Sequence, residues 1–232
     1  MEFFKSHWFL ILMLTLASAF VFVWLFVFNR EKLKAKWWEI LIVTVIHTGY
    51  GVLTVKFFAL LEAGFNFEKA GNMSLFGGIF FMPLMYFCYA KIKKIPVSIV
   101  FDIFVVCLAA TLALARINCL YAGCCIGKYI SGDSGPRWPT REIDVVTHAL
   151  FVIFAIVTIK KEKLNSKLYP LYLIAYGVMR FVIEWFRDST GSALFHVGHI
   201  WSIVSTILGF IIFLIMMLKE RKNELGANDE KR

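Results

Sequence analysis

The chain has 232 residues, 59% hydrophobic and 17% aromatic, with a formal net charge of +9 and 18% charged residues. Its mean hydropathy is +0.72, and a soluble domain is about 45–50% apolar. This apolar content excludes a disordered chain, and the length with only five cysteines excludes a disulfide-stapled mini-protein. Apolar blocks punctuated by charge read instead as an all-α, polytopic integral membrane protein in a single domain spanning 1–232. A nucleic-acid partner is not expected, because positive charge has a use at membrane borders.

A transmembrane helix needs roughly 20 mostly apolar residues. Seven segments qualify, at about 9–28, 38–61, 72–90, 97–115, 144–159, 168–186 and 198–218. The first is the cleanest. Ala17-Ser18-Ala19 mimics a signal cleavage site, but the apolar run continues to Phe28, so a retained helix is expected. The second is interrupted by His47, Gly49, Gly51 and Lys56, and the third contains Gly77-Gly78 and Pro83. Asp102 lies near the start of the fourth, and Arg180 and Glu184 lie within the sixth. From Glu220 the chain reads as a short disordered tail.

Basic residues set the expected orientation. Sixteen of the 25 fall between segments one and two, three and four, five and six, and in the tail. Among them are Arg30, Lys94, Lys163, Lys231 and Arg232. Seven, including Lys69, fall on the other side. Seven transmembrane helices follow, with the N-terminus outside and the C-terminus cytoplasmic.

Two polar concentrations remain on the outer side. One is the loop 116–143, with Gly123, Gly127, Gly132 and Gly135 and the run Arg137-Trp138-Pro139-Thr140-Arg141-Glu142. A loop this long is more often functional than idle. The other is Arg180-Phe-Val-Ile-Glu184-Trp-Phe-Arg187, where Arg180 and Glu184 share one helix face. An Arg at that depth faces a partner or a cavity. It is either an ion pair gluing helices or, held by Glu184, a bidentate clamp for phosphate. Arg116 and Arg141 near the same face favour an anionic lipid headgroup.

These residues resemble the prolipoprotein diacylglyceryl transferase family. Ser74-Leu-Phe76-Gly77-Gly78 is similar to the family's His-Gly-Gly element. Arg116-Ile-Asn118-Cys119-Leu-Tyr-Ala-Gly123-Cys124-Cys125-Ile-Gly127-Lys is similar to its Arg-bearing loop signature. Pro139-Thr140 followed by Asp144 stands where the family has His-Pro-Ser/Thr-Gln-Leu-Tyr-Glu. Tyr176-Gly177-Val-Met-Arg180-Phe-Val-Ile-Glu184-Trp-Phe-Arg187 resembles Gly-x-x-Arg-Phe-x-x-Glu-Phe-x-Arg, the most specific of the four. The chain departs at Phe76, where the family has His. It departs again at Cys119 for Asn, Cys124 for an acid, Trp138 for His and Arg141 for Gln.

The resemblance implies a multi-pass enzyme of the bacterial cytoplasmic membrane. It would move the diacylglyceryl group of phosphatidylglycerol to the thiol of a prolipoprotein lipobox cysteine. Its partners would be phosphatidylglycerol, the lipobox segment and membrane lipid. It would need no cofactor. Arg116 and Arg180 would stabilise the departing phosphate, and Glu184 would orient Arg180. Gly77, Gly78, Asn118, Gly127, Arg141, Asp144 and Arg187 would contact substrate. The family's His is absent, so a base is sought elsewhere. His199, opening the seventh segment, is chosen ahead of His196, His148 and His47.

Other readings stay open. A divergent member that keeps the arginines and lacks the His could bind phospholipid or lipoprotein without catalysis. A related transferase could use another acceptor. Asp144 could simply cap a helix. Cys119, Cys124 and Cys125 are not spaced as a standard zinc site, and adjacent cysteines do not easily share a metal, so none is expected.

Overall fold

The computed structural model describes residues 2–67, 73–161, 167–188 and 196–229. Lys69, Asn72, Lys163, Lys231 and Arg232 lie outside the described residues. Seven helices follow one another there: α1 (Glu2–Val23), α2 (Trp37–Glu62), α3 (Phe76–Lys93), α4 (Val97–Ala122), α5 (Thr140–Lys160), α6 (Leu168–Phe186) and α7 (Val197–Asp229). A π-helical turn, Trp24–Phe28, extends α1. Five stretches are long and apolar enough to cross a membrane: His7–Phe28, Trp37–Glu62, Val97–Ala122, Thr140–Lys160 and Val197–Lys222. α3 and α6 are not among them; α6 carries Arg180 and Glu184.

α4 is the hub. In its apolar stretch 67% of residues are buried, against at most 33% in the other four. It packs on α1, α3, α5 and α6, while α7 packs on α6. Around it Phe104, Ile103, Tyr86 and Tyr172 are fully buried. Large apolar side chains such as Val27, Val45, Leu150 and Phe210 are exposed on the outside, which leaves an apolar outer surface where lipid would lie.

Polar groups in this interior meet specific partners. Trp24 Nε1 donates to the Ile103 carbonyl at 3.0 Å, and buried Asn29 Nδ2 donates to the Trp24 carbonyl at 3.0 Å. Asp102 Oδ1 accepts the Leu168 N–H at 3.2 Å, so it caps the start of α6. Pro83 lacks the N–H that would bond the Ile79 carbonyl four residues earlier. The Tyr169 hydroxyl on α6 donates to that carbonyl instead, at 2.9 Å.

Three expectations are corrected. α4 runs to Ala122 rather than ending at 115, so Arg116, Asn118 and Cys119 are helical. α5 starts at Thr140, which puts Asp144 in its second turn; the capping position is Pro139, so Asp144 is not a cap. The tail beyond Glu220 continues α7 to Asp229.

Tyr169→Phe should therefore leave a buried carbonyl unmet and cost about 1–3 kcal/mol. Pro83→Ala in that background returns a backbone donor and should recover most of the loss. Thermal unfolding in detergent micelles reads both; an unshifted midpoint for Tyr169→Phe would remove the compensation.

Candidate active site

Arg116 on α4, Asp144 on α5 and Arg180, Glu184 and Arg187 on or just after α6 converge at one end of the bundle. Asp144 Oδ2 takes Arg116 Nε at 2.9 Å and Arg180 Nη1 at 3.2 Å. Glu184 Oε2 takes Arg180 Nη2 at 2.6 Å and Arg187 Nη1 at 3.6 Å. Arg180 and Glu184 meet because they are one helical turn apart. Removing charge from water is costly unless partners replace the water. Here Arg116, Asp144, Arg180 and Glu184 are each only 4–5% exposed, and each guanidinium is paired.

The loop closes this chain of charges into a ring. Cys125 Sγ accepts from Arg187 Nη2 at 3.1 Å and from Arg116 Nη1 at 3.7 Å. Hydrogen bonds from Cys119 and Cys124 hold the Cys125 thiol well below the ordinary thiol range; Arg187 and Arg116 add to this, and burial opposes it. Thr140 Oγ1 donates to the Cys125 carbonyl at 3.1 Å.

Backbone pairing fixes the loop against the end of α6. Lys128 N–H donates to the Phe186 carbonyl at 2.8 Å, Asp188 N–H to Ile126 at 2.9 Å, and Trp138 N–H to Lys128 at 2.9 Å. Gly127 is the residue bridged to Arg187. Arg137 stacks over Tyr129 at 3.9 Å and pairs with Asp188 at 2.7 Å.

The ring opens onto a cavity of about 430 Å³. Arg116, Arg180, Arg187, Glu184 and Cys125 line it. So do Glu62, Ser74, Phe76, Tyr176 and His196. Three guanidiniums, from Arg116, Arg180 and Arg187, face a space large enough for a phosphodiester headgroup. Phe76 packs edge-on to Tyr176, with ring centres 5.5 Å apart. A narrower apolar crevice of about 60 Å³ among α1 to α4 shares Met73 and Leu75 with the cavity.

The other expected site residues are placed differently. Asp144 stands behind Arg116 and Arg180 rather than on the cavity wall. Gly77 marks the crossing of α3 over α2, where a side chain would strike the Thr54 carbonyl. Gly78 faces Leu108, Leu112 and Val55. Asn118 is half-buried on α4, and Arg141 lies 3.9 Å from Glu142; neither lines the cavity. His199 is buried against Phe181 and Trp185, with ring centres at 5.2 and 4.9 Å. Its Nδ1 accepts the His196 N–H at 3.2 Å, and it is His196 that reaches the cavity wall. His148 donates Nδ1–H to the Asp144 carbonyl at 2.7 Å, which anchors α5 at the ring.

Reading the sequence missed Glu62, Tyr176 and Cys125 as cavity residues. Glu62 carried a signal: it is an acid ending an apolar helix at the bundle end that holds Arg116. Tyr176 precedes Arg180 by one turn, on the same face.

Asp144→Asn removes the carboxylate that two buried guanidiniums share. It should cost about 3–5 kcal/mol, whereas Glu142→Gln on the exposed side of the same helix should cost under about 1 kcal/mol. Chemical unfolding of both variants in one detergent compares them; equal losses would remove the ring's structural role.

A sequence profile of the prolipoprotein diacylglyceryl transferase family matches residues 2–215. The chain is 26% identical over 163 residues to a phosphatidylglycerol–prolipoprotein diacylglyceryl transferase of Clostridium tetani, covering 64% of this chain and 66% of that protein. It is 30% identical over 136 residues to such a transferase, numbered 2, of Clostridium perfringens, covering 52% and 53%. A Finegoldia magna relative is 25% identical over 176 residues, covering 70% and 67%. The matched stretches thus span just under two thirds and about half of the two clostridial relatives. With a profile matched across nearly its whole length, the chain belongs to the prolipoprotein diacylglyceryl transferase family.

Proposed function

We propose that the protein transfers the diacylglyceryl group of phosphatidylglycerol to the lipobox cysteine thiol of prolipoproteins. The observation that carries this reading is the buried arginine ring opening on a 430 Å³ cavity. In the reaction a bond forms between the thiol sulfur and the terminal glycerol carbon. The bond from that carbon to a phosphate oxygen breaks, and glycerol phosphate leaves with the electron pair. The thiol proton goes to a base.

Arg116, Arg180 and Arg187 stabilise the charge gathering on the leaving phosphate. Such a site works best when its donors are oriented before the reaction. Asp144 and Glu184 supply that orientation through the short contacts to Arg116 and Arg180. The proton acceptor in this reading is the His196–His199 pair, with His196 at the wall and His199 behind it. Family names given to relatives support the same chemistry.

The proposal includes seven membrane crossings, with α3 and α6 completing the bundle, the N-terminus outside and the C-terminus in the cytoplasm of a bacterium. The basic residues after α1, α3 and α5, and those from Lys219 onward, support it. One observation favours a second reading, binding of phospholipid without transfer. Phe76, not a His, stands in the cavity beside Tyr176.

The purified protein, given labelled phosphatidylglycerol and a lipobox peptide, should label the peptide cysteine. Arg180→Lys keeps the charge but not the bidentate fork, and should lower turnover by about 100-fold or more. No label at any pH, with phosphatidylglycerol still bound, would establish the binding reading instead. Across pH, His196→Gln and His199→Gln should each alter the acidic limb of the rate profile; two unchanged profiles would remove the pair as base.

Alkaline phosphatase fused after Asp133 should be active and after Lys94 inactive. The reverse pattern would overturn the orientation.

A further inference from the structure

Three thiols meet where α4 runs into the loop. Cys119 is in the last turn of α4, and Cys124 and Cys125 follow the helix end. Gly123 has φ +70° and Cys125 has φ +59°, so the chain turns back over the helix it has just left. The Sγ atoms of Cys119, Cys124 and Cys125 all lie within 4.8 Å of one another. All three are free thiols.

This geometry answers the objection raised by the spacing. Two adjacent cysteines in extended backbone point apart. The left-handed conformation at Cys125 instead directs both sulfurs at Cys119. Sulfurs bound to one metal at about 2.3 Å stand about 4 Å apart, so the triangle needs to contract by less than an ångström. Two guanidiniums, from Arg116 and Arg187, already donate to Cys125 Sγ. Donors of this kind from outside the ligand set stabilise a centre that is anionic overall.

We propose that Cys119, Cys124 and Cys125 form a three-thiolate site for one thiophilic cation, of the copper(I) and zinc(II) class. Thiolate donors select soft cations over the oxygen-seeking ones. Among the described residues no His or carboxylate joins the cluster, which favours three-coordinate binding or an open fourth position. Loading releases the thiol protons and leaves a negatively charged metal–thiolate centre against Arg116 and Arg187. The site lies at the rim of the cavity, because Cys125 lines both.

The test uses the full-length protein in detergent, reduced and then freed of reductant under anaerobic conditions. Titration with Cd²⁺ should raise an ultraviolet sulfur-to-metal absorption band that saturates at one metal per chain. Cys119→Ser, Cys124→Ser and Cys125→Ser should each weaken binding at least about 10-fold. A double variant, Cys88→Ser with Cys107→Ser, should bind as the parent does, since those thiols lie outside the cluster. In the unmodified protein, Cd²⁺ should protect Cys124 and Cys125 from alkylation by iodoacetamide, which needs no variant to fold. Three results would each overturn the site: no saturable band, a band that survives loss of Cys119 and Cys124 together, or a disulfide among the three in the anaerobic protein.

Discussion

Asp144 Oδ2 forms ion pairs with two guanidiniums, Arg116 Nε at 2.9 Å and Arg180 Nη1 at 3.2 Å, where all three side chains are 5–6% exposed. Much of the molecule depends on this shared carboxylate. Between lipid-embedded helices there is no strong hydrophobic drive, so packing and polar contacts carry the specificity. A buried charge without a partner is costly on any helix. Arg116 on α4 and Arg180 on α6 are therefore both drawn to α5, which sets the relative rotation of the three helices. His148 holds Asp144's own backbone in place from the next turn.

The same requirement shapes the backbone on either side. α4 continues through Arg116 to Ala122 because the guanidinium finds its counter-charge inside the bundle and has no need to leave it. Cys125 and the strand-like pairing of the loop with the end of α6 then close this end of the bundle. Gly127 is bridged to Arg187, and Arg187 in turn reaches Glu184 and Cys125. The loop is thus tied to the charges it covers, and the cavity beneath keeps oriented donors on its wall. Orientation before a ligand arrives is what the proposed transfer would need, since donors fixed in advance require little rearrangement as charge develops.

Part of this was readable from residues alone. Arg180 and Glu184 are one turn apart, and their ion pair follows from helix geometry. Most helix positions followed from apolar length. Pro83 announced a missing hydrogen bond, but nothing in its neighbourhood announced Tyr169, which comes from another helix. Asp144 was readable as an acid near a helix start, and a cap was a fair expectation while that start was taken to be Asp144 itself. With the helix beginning at Thr140, the carboxylate turns inward. His199 was readable as a histidine at a helix end; its burial against Phe181 and Trp185 depends on how α7 lies on α6.

The composition and charge pattern by themselves determined an all-helical chain with apolar stretches, the arginines that stand out from the topological charge, and the family motif that links Arg180, Glu184 and Arg187. These are local properties, set by side-chain type and by spacing along one helix. The tertiary structure alone decided that Asp144 joins two helices' arginines, that Glu62, Tyr176 and His196 share their cavity, and that three cysteines meet. Those facts require distances between segments far apart in the chain. They are set by packing and by the cost of leaving a buried charge unpaired, and sequence spacing does not encode them.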